Sequence, residues 1–241
     1  MRGRILVTRP EPQASRTAAR LKADGFEPIL LPLTRTVPVE TGSRPTPAPH
    51  DVLAVTSANA IRHAPRSLLE AFAHTPCFAV GRKTAAQARS TGLRSVTEGP
   101  GDALGLAEAI AQSEMRPRRV VYLCGRVRLP VFERALAKAN IACLPVETYD
   151  TVEVSYPTEH LLHVFDAGPF DAVLVYSPAN AAALQVLANR PEVAQHLADA
   201  VFFCLSGAIA KAMDRAGAAR IRIAERPDEE ALLALLAREF P

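Results

Sequence analysis

Tryptophan is absent from this chain, and aromatic residues of all kinds make up 5% of its 241 residues. That scarcity argues against the aromatic platforms on which single-stranded nucleic acids stack. Nor does charge of either sign predominate. The 28 Lys and Arg residues are interspersed with 25 Asp and Glu, leaving a net charge of +3 and no basic stripe to follow a phosphate backbone. Nucleic acid is therefore not an expected partner, whereas a small positive excess suits an acidic small molecule. No apolar run approaches the roughly 18 residues that cross a bilayer. The N-terminal MRGRILVTRP has too short an apolar core for a signal peptide. No membrane association is expected, and the expected location is the cytoplasm.

Several chemical signatures are also missing. Cys77, Cys124, Cys143 and Cys204 show no CxxC spacing and lie in or beside apolar runs, which reads as core thiols in a reducing compartment. His160 and His163 can share a helix face, but no third ligand lies near them, so no metal site is expected. No GxGxxG follows the first apolar run, which removes the dinucleotide fingerprint. Gly81-Arg82-Lys83-Thr84 looks like the tail of a phosphate loop. However, Arg82 separates the glycine from Lys-Thr, and Pro76 stands where the upstream glycine belongs. There is no Ser/His/Asp triad and no paired-carboxylate pattern. An enzyme of this kind is expected to work by orientation and hydrogen bonding rather than through a nucleophile.

What the chain does contain is a repeat. DVLAVTSANA from Asp51 and DAVLVYSPANA from Asp171 each place an aspartate before an apolar run ending at a serine, Ser57 or Ser177. CFAVGRKTAAQARSTGL from Cys77 has its counterpart in FFCLSGAIAKAMDRAGA from Phe202. The period is domain-sized and predicts two α/β lobes with a cleft between them, a usual place for a small ligand. A strand at Ile5 to Thr8, a helix ending at Gly25 and a strand within Pro28 to Leu33 make one βαβ unit. Val120 to Cys124, a helix at Val131 to Lys138 and a strand at Ile141 to Val146 make another, with Asn140 in the place of Gly25. Helices are also expected at Ala85 to Ser90, ending at Gly92, and Lys211 to Ala216, ending at Gly217. Asp102 and Asp228 are N-cap candidates. Alternating strands and helices predict parallel sheets covered on both faces. The Pro-rich Val37 to Asp51 reads as a connection, and the β-branched Thr148 to Pro157 as an exposed extended strand.

The strand ends supply the candidate site. Ser57 and Ser177 each close a buried strand and open a helix, where main-chain N–H groups can hold a carboxylate. Plain N-capping explains the same serines, and the two roles are compatible. Thr84 falls near the cap of the helix after Gly81, and Ser206 is its counterpart in the second copy. Arg9, Arg126 and Arg128 follow strands and can clamp carboxylates, or be solvated. Tyr149 ends a strand on a presumed connection, as a hydroxyl for the site or as hinge packing.

Taken in order, ILVTRP, ADGFEPILLPL, DVLAVTSANAIRH, FAVGRKTAAQARSTGL, VVYLCGRVRLPVFERAL, LPVETYDTV and DAVLVYSPAN resemble the uroporphyrinogen-III synthase family over nearly the whole chain. The resemblance implies two flavodoxin-like parallel-sheet lobes, residues 1–36 with 153–241 and residues 39–150. Linker strands are implied near 36–39 and 149–153. It implies a cofactor-independent cyclisation of hydroxymethylbilane, a linear tetrapyrrole with many carboxylates, to uroporphyrinogen III. Water is lost and ring D is inverted through a spiro intermediate. Tyr149 matches the tyrosine thought to assist loss of the hydroxyl. The resemblance implies that Ser57, Thr84, Ser177 and Ser206 lie on the loops lining the cleft, where main-chain amides hold the carboxylates, with Arg9 and Arg126 as added cations. Some relatives carry threonines where this chain has Ala208 and Ile209. A monomer receiving its substrate from hydroxymethylbilane synthase is expected. The alternative of a different class is a non-catalytic two-lobed module that binds a polycarboxylate and signals by closing.

Overall fold

A computed structural model describes residues 2–42, 45–214 and 220–241. Along the chain, β1 (Arg4–Val7), α1 (Gln13–Ala23), β2 (Glu27–Leu30) and β3 (Thr34–Pro38) come first. They are followed by β4 (Asp51–Val55), α2 (Ala58–His63), α3 (Arg66–Ala71), β5 (Cys77–Ala79), α4 (Arg82–Ser90), β6 (Val96–Glu98) and α5 (Ala103–Ala111). Next are β7 (Arg119–Gly125), α6 (Val131–Lys138), β8 (Ala142–Glu153), α7 (Thr158–Phe165) and β9 (Ala172–Val175). The chain closes with α8 (Pro178–Ala188), α9 (Pro191–Leu197), β10 (Val201–Cys204), α10 (Gly207–Asp214), β11 (Ile221–Ile223) and α11 (Glu229–Glu239). The expected helix end at Gly217 lies outside the described residues.

The chain divides into two compact units, Met1–Arg35 with Val152–Pro241, and Thr36–Thr151. In the first unit the sheet runs β2-β1-β9-β10-β11, with every pairing parallel. Numbered along that unit's own chain, this is the order 2-1-3-4-5 of flavodoxin-like sheets. In the second, parallel pairings give β8-β7-β4-β5-β6, with β3 added beside β8. Counting from β7 instead of β4 recovers 2-1-3-4-5. The second unit is thus a circular permutation of the first: β7-α6-β8 stands for β1-α1-β2, and β4, β5 and β6 stand for β9, β10 and β11. The fold class is α/β with two parallel sheets, as the alternation of strands and helices predicts, and their order is the flavodoxin-like one that the resemblance implies.

Both sheets are buried on both faces, which is why their strands read as unbroken apolar runs. In β1, Ile5 and Val7 join one core while Leu6 joins the other. In β4 and β7, Leu53, Val55, Val121 and Leu123 face one core, and Val52, Ala54, Val120 and Tyr122 the other. The helix stops are local chemistry. Gly25 (φ +85°) and Asn140 (φ +57°) occupy equivalent left-handed positions after α1 and α6. Asp102 and Asp228 cap α5 and α11, accepting from the Gly105 and Ala231 main-chain N–H groups at 2.8 Å.

The repeated aspartates stand at the N-terminal ends of β4 and β9. The buried Asp51 accepts from Arg119 Nε at 3.0 Å and from the Ala48 N–H at 2.7 Å. Asp171 accepts from the Arg4 N–H at 2.7 Å. Arg119 and Arg4 begin equivalent strands, so each aspartate ties its strand to the neighbouring one. This is a structural role at the amino-terminal ends of interior strands, remote from the strand carboxyl ends. The expectation of an exposed strand over Thr148 to Pro157 needs correction at its start. Thr148 is fully buried, and its hydroxyl donates to the Ala60 carbonyl at 2.9 Å. The apolar α2 packs over that end of β8, which the β-branched composition alone does not reveal.

Candidate active site

An open parallel sheet binds ligands beyond its strand carboxyl ends, where the strand order reverses, because helices leave that point in opposite directions and open a crevice. The reversal lies between β1 and β9 in one sheet and between β7 and β4 in the other. Arg9 and Ser177 follow the first pair of strands, and Arg126 and Ser57 follow the second. Thr84 and Ser206 follow the next strand out in each sheet, and Tyr149 lies on β8 beside β7.

In the unit Thr36–Thr151, Ser57 is extended and caps α2, its Oγ accepting from the Asn59 N–H at 3.2 Å. Thr56 Oγ1 lies 2.7 Å from Tyr122 Oη. Burial pushes the Tyr122 phenol up to about 12, so it stays protonated through the neutral range. Arg126 extends from the end of β7 with its side chain 55% exposed, making ion pairs with Asp150 at 3.2 Å and Glu147 at 3.5 Å. Arg128 is more constrained. It bonds Glu133 and Glu147, both at 3.0 Å, and the Gly125 carbonyl at 3.2 Å, which fixes the turn between β7 and α6.

Tyr149 has a seat made by three elements. The register between β7 and β8 shifts at Cys124/Gly125, so that Tyr149 faces Gly125. Such irregularities re-aim a side chain. A Cβ at Gly125 would lie 2.7 Å from Tyr149 Cζ and 3.0 Å from its Oη, so only glycine leaves the hydroxyl end of the ring this position. The Tyr149 carbonyl accepts from the Arg126 N–H at 2.9 Å. The imidazole of His63, the last residue of α2, stacks on the Tyr149 ring at 6.0 Å between centroids and 29° between planes. His63 Nε2 lies 2.9 Å from Thr36 Oγ1.

Thr84 does not stand at a cap. Gly81 is the N-cap of α4, and Thr84 is buried in the first turn with 6% exposure. The reason is that α4 starts three residues before the expected Ala85, which turns the threonine toward the core. Beside it, Gly99 and Gly101 donate main-chain N–H bonds to Ala79 and Val80 carbonyls at 2.7 Å, closing the loop after β6 against β5. A Cβ at Gly99 would meet the Ala79 carbonyl oxygen at 2.9 Å.

In the other unit, Ser177 caps α8, accepting from the Asn180 N–H at 3.1 Å, with Pro178 in the first turn. Asn180 is buried and donates to the Thr8 carbonyl at 2.9 Å, while Thr8 Oγ1 lies 2.6 Å from Asn180 Oδ1. This pair locks α8 to the end of β1. Arg9 pairs with Glu229 at 2.6 Å and lies over the Tyr176 ring at 4.0 Å. Its charge is therefore already matched by the first residue of α11. The Ser206 carbonyl accepts from the Ile209 and Ala210 N–H groups at 3.1 Å, opening α10. Ala208 is exposed, and Ile209 is in the core.

Sequence reasoning did not reach His63, Gly125, Tyr122 or Asn180. Gly125 carried a usable signal, a glycine at the end of a strand where a close approach is the usual cause. The others depend on partners distant along the chain.

A family model described as uroporphyrinogen-III synthase HemD matches residues 15–234. Uroporphyrinogen-III synthetase from Helicobacter pylori has a similar fold, with a TM-score of 0.67, 16% identity, and coverage of 98% of this chain and 99% of that one. A mutant uroporphyrinogen III synthase from Thermus thermophilus matches with a TM-score of 0.52 and 19% identity, covering 98% and 97%. No curated protein matches significantly in sequence.

Proposed function

The chain belongs to the uroporphyrinogen-III synthase family, and from that premise we propose how its strand-end residues carry the family's reaction. That reaction cyclises hydroxymethylbilane to uroporphyrinogen III with loss of water and inversion of ring D, in tetrapyrrole biosynthesis. The observation that carries the residue assignment is the seat of Tyr149. A strand register shift and a glycine together aim one tyrosine at the carboxyl end of a sheet, beside the point where strand order reverses.

Tyr149 donates its phenolic proton to the departing hydroxyl of the bilane. The C–O bond breaks, water leaves, and the electron deficiency spreads over the terminal pyrrole as an azafulvene-type cation. The substituted carbon of ring D attacks that carbon. The resulting spiro intermediate breaks the bond between ring D and its original methylene bridge, the free α-carbon of ring D closes onto that methylene, and the proton lost from this carbon returns to the Tyr149 phenolate. Closure without inversion needs no catalyst, so the protein acts by favouring one geometry in the transition state. Within each unit taken by itself, main-chain N–H groups at helix starts suit a substrate carboxylate, at Ser57 and Thr84 for α2 and α4 and at Ser177 and Ser206 for α8 and α10. Arg126, half exposed and only loosely paired, is the better placed of the two arginines for a bidentate contact. Arg9 acts through its pair with Glu229, fixing the end of β1.

No cofactor takes part. The protein works in the cytoplasm as a monomer that accepts its substrate from hydroxymethylbilane synthase. Treatment with EDTA followed by desalting leaves the rate of isomer III formation unchanged; a loss restored by a divalent metal contradicts this. Tyr149→Phe lowers kcat on the order of a hundredfold to ten-thousandfold, the range for a missing proton donor, with the melting temperature preserved. Wild-type turnover in that variant removes the tyrosine from the mechanism.

A further inference from the structure

We propose that His63 is a positioning residue for Tyr149, its imidazole holding the phenol ring in the one orientation that aims the hydroxyl at the substrate. The proposal rests on the assignment of Tyr149 above.

The geometry converges from three elements. The backbone of Tyr149 is fixed by the Arg126 N–H bond and by the buried anchor of Thr148 on the Ala60 carbonyl. Those bonds set the main chain; the ring lies half-buried against the core around Leu123 and Val146, with χ1 choosing among staggered wells and χ2 broad. Gly125 makes room for the hydroxyl end but supplies no side chain to hold it. The one aromatic neighbour recorded for the Tyr149 ring among the described residues is His63, in an offset stack at 6.0 Å. His63 is itself held by Thr36 at 2.9 Å, on the strand next to β8. Its imidazole nitrogen is thus spent on Thr36, and it offers Tyr149 a ring face. Burial, with the charge of Arg62, holds the His63 pKa below its ordinary value and keeps that ring neutral at physiological pH. The nitrogen that touches Thr36 and the face that touches Tyr149 separate the two functions, so they can be removed one at a time.

The test is a kinetic cycle in the intact protein, with kcat and KM read from isomer III formation for His63→Ala, His63→Phe, Thr36→Val, Tyr149→Phe and the double variant His63→Ala/Tyr149→Phe. His63→Ala lowers kcat about tenfold and leaves KM within about twofold, the pattern of a misplaced catalytic group. His63→Phe keeps an aromatic face and recovers most of the rate. Thr36→Val lowers kcat in the same direction by a smaller factor. In the Tyr149→Phe background, His63→Ala causes no further loss, because residues acting through one another are not additive. Wild-type kcat in a folded His63→Ala protein, or an equal loss in both backgrounds, overturns the proposal. If His63→Ala does not fold, wild-type kcat in Thr36→Val overturns it instead. Tyr149→Phe at the wild-type rate sinks the underlying assignment and this inference together; a slow Tyr149→Phe beside an unaffected His63→Ala sinks this inference alone.

Discussion

Asp51 is almost fully buried, and the Arg119 guanidinium beside it holds its carboxyl below the usual carboxylate range, more than offsetting the opposing effect of burial. A carboxyl whose folded pKa is depressed stabilises the protein above its unfolded value near 4, and that stabilisation fades as pH falls through the folded value. Asp51→Asn therefore costs roughly 1–3 kcal/mol at pH 7, the range for a charged hydrogen bond left with one partner. The gap between variant and wild type narrows on acidification below pH ~4. Urea midpoints measured from neutral to acid pH check this, and two parallel curves contradict it. The cysteines offer a second test. Burial raises the thiols of Cys77, Cys124 and Cys204 to about 12 and that of Cys143 to about 11. Thiolate is the reactive form, so a disulfide reagent at pH 8 modifies the native protein slowly and all four thiols quickly after denaturation. Fast native labelling at neutral pH contradicts the burial.

The helix stops are where one-residue chemistry shapes whole elements. Asn140 ends α6 with φ +57°, a conformation that costs residues other than glycine or asparagine on the order of 1–2 kcal/mol. Asn140→Ala loses about 1 kcal/mol in urea unfolding and Asn140→Gly loses nothing measurable; equal losses contradict the left-handed reading. Elements governed by such local rules were readable in advance. The limits of α6, the caps at Asp102 and Asp228, the serines opening α2 and α8, and the apolar runs of β1, β4, β7 and β9 all follow from neighbours in sequence. What stayed hidden depends on distant partners. Arg9 reads as a free cation until α11 brings Glu229 to it. Thr148 reads as exposed until α2 covers it. The stacking of His63 on Tyr149 needs α2 and β8 already placed, and no pattern within either segment announces it. Thr84 reads as lying near a cap, and the start of α4 at Arg82 buries it in the first turn.

At the scale of the whole molecule, duplication with permutation gives each unit a strand-order reversal with an arginine at one strand end and a capping serine at the next. The two units differ in how these residues are paired. In one, Arg9, Glu229, Thr8 and Asn180 satisfy each other. In the other, Arg126 remains half exposed beside a glycine-seated tyrosine. A net charge of +3 on the protein and a polycarboxylate substrate imply attraction that salt screens. KM therefore rises with ionic strength while kcat stays level, and a salt-independent KM contradicts charge-guided binding. The most direct measurement remains the ring geometry of the product. Hydroxymethylbilane generated in situ is incubated with the purified protein, oxidised, and its porphyrin isomers separated by chromatography. The account predicts isomer III in large excess over isomer I, formed faster than spontaneous closure; isomer I alone, at the uncatalysed rate and with the protein folded, contradicts it.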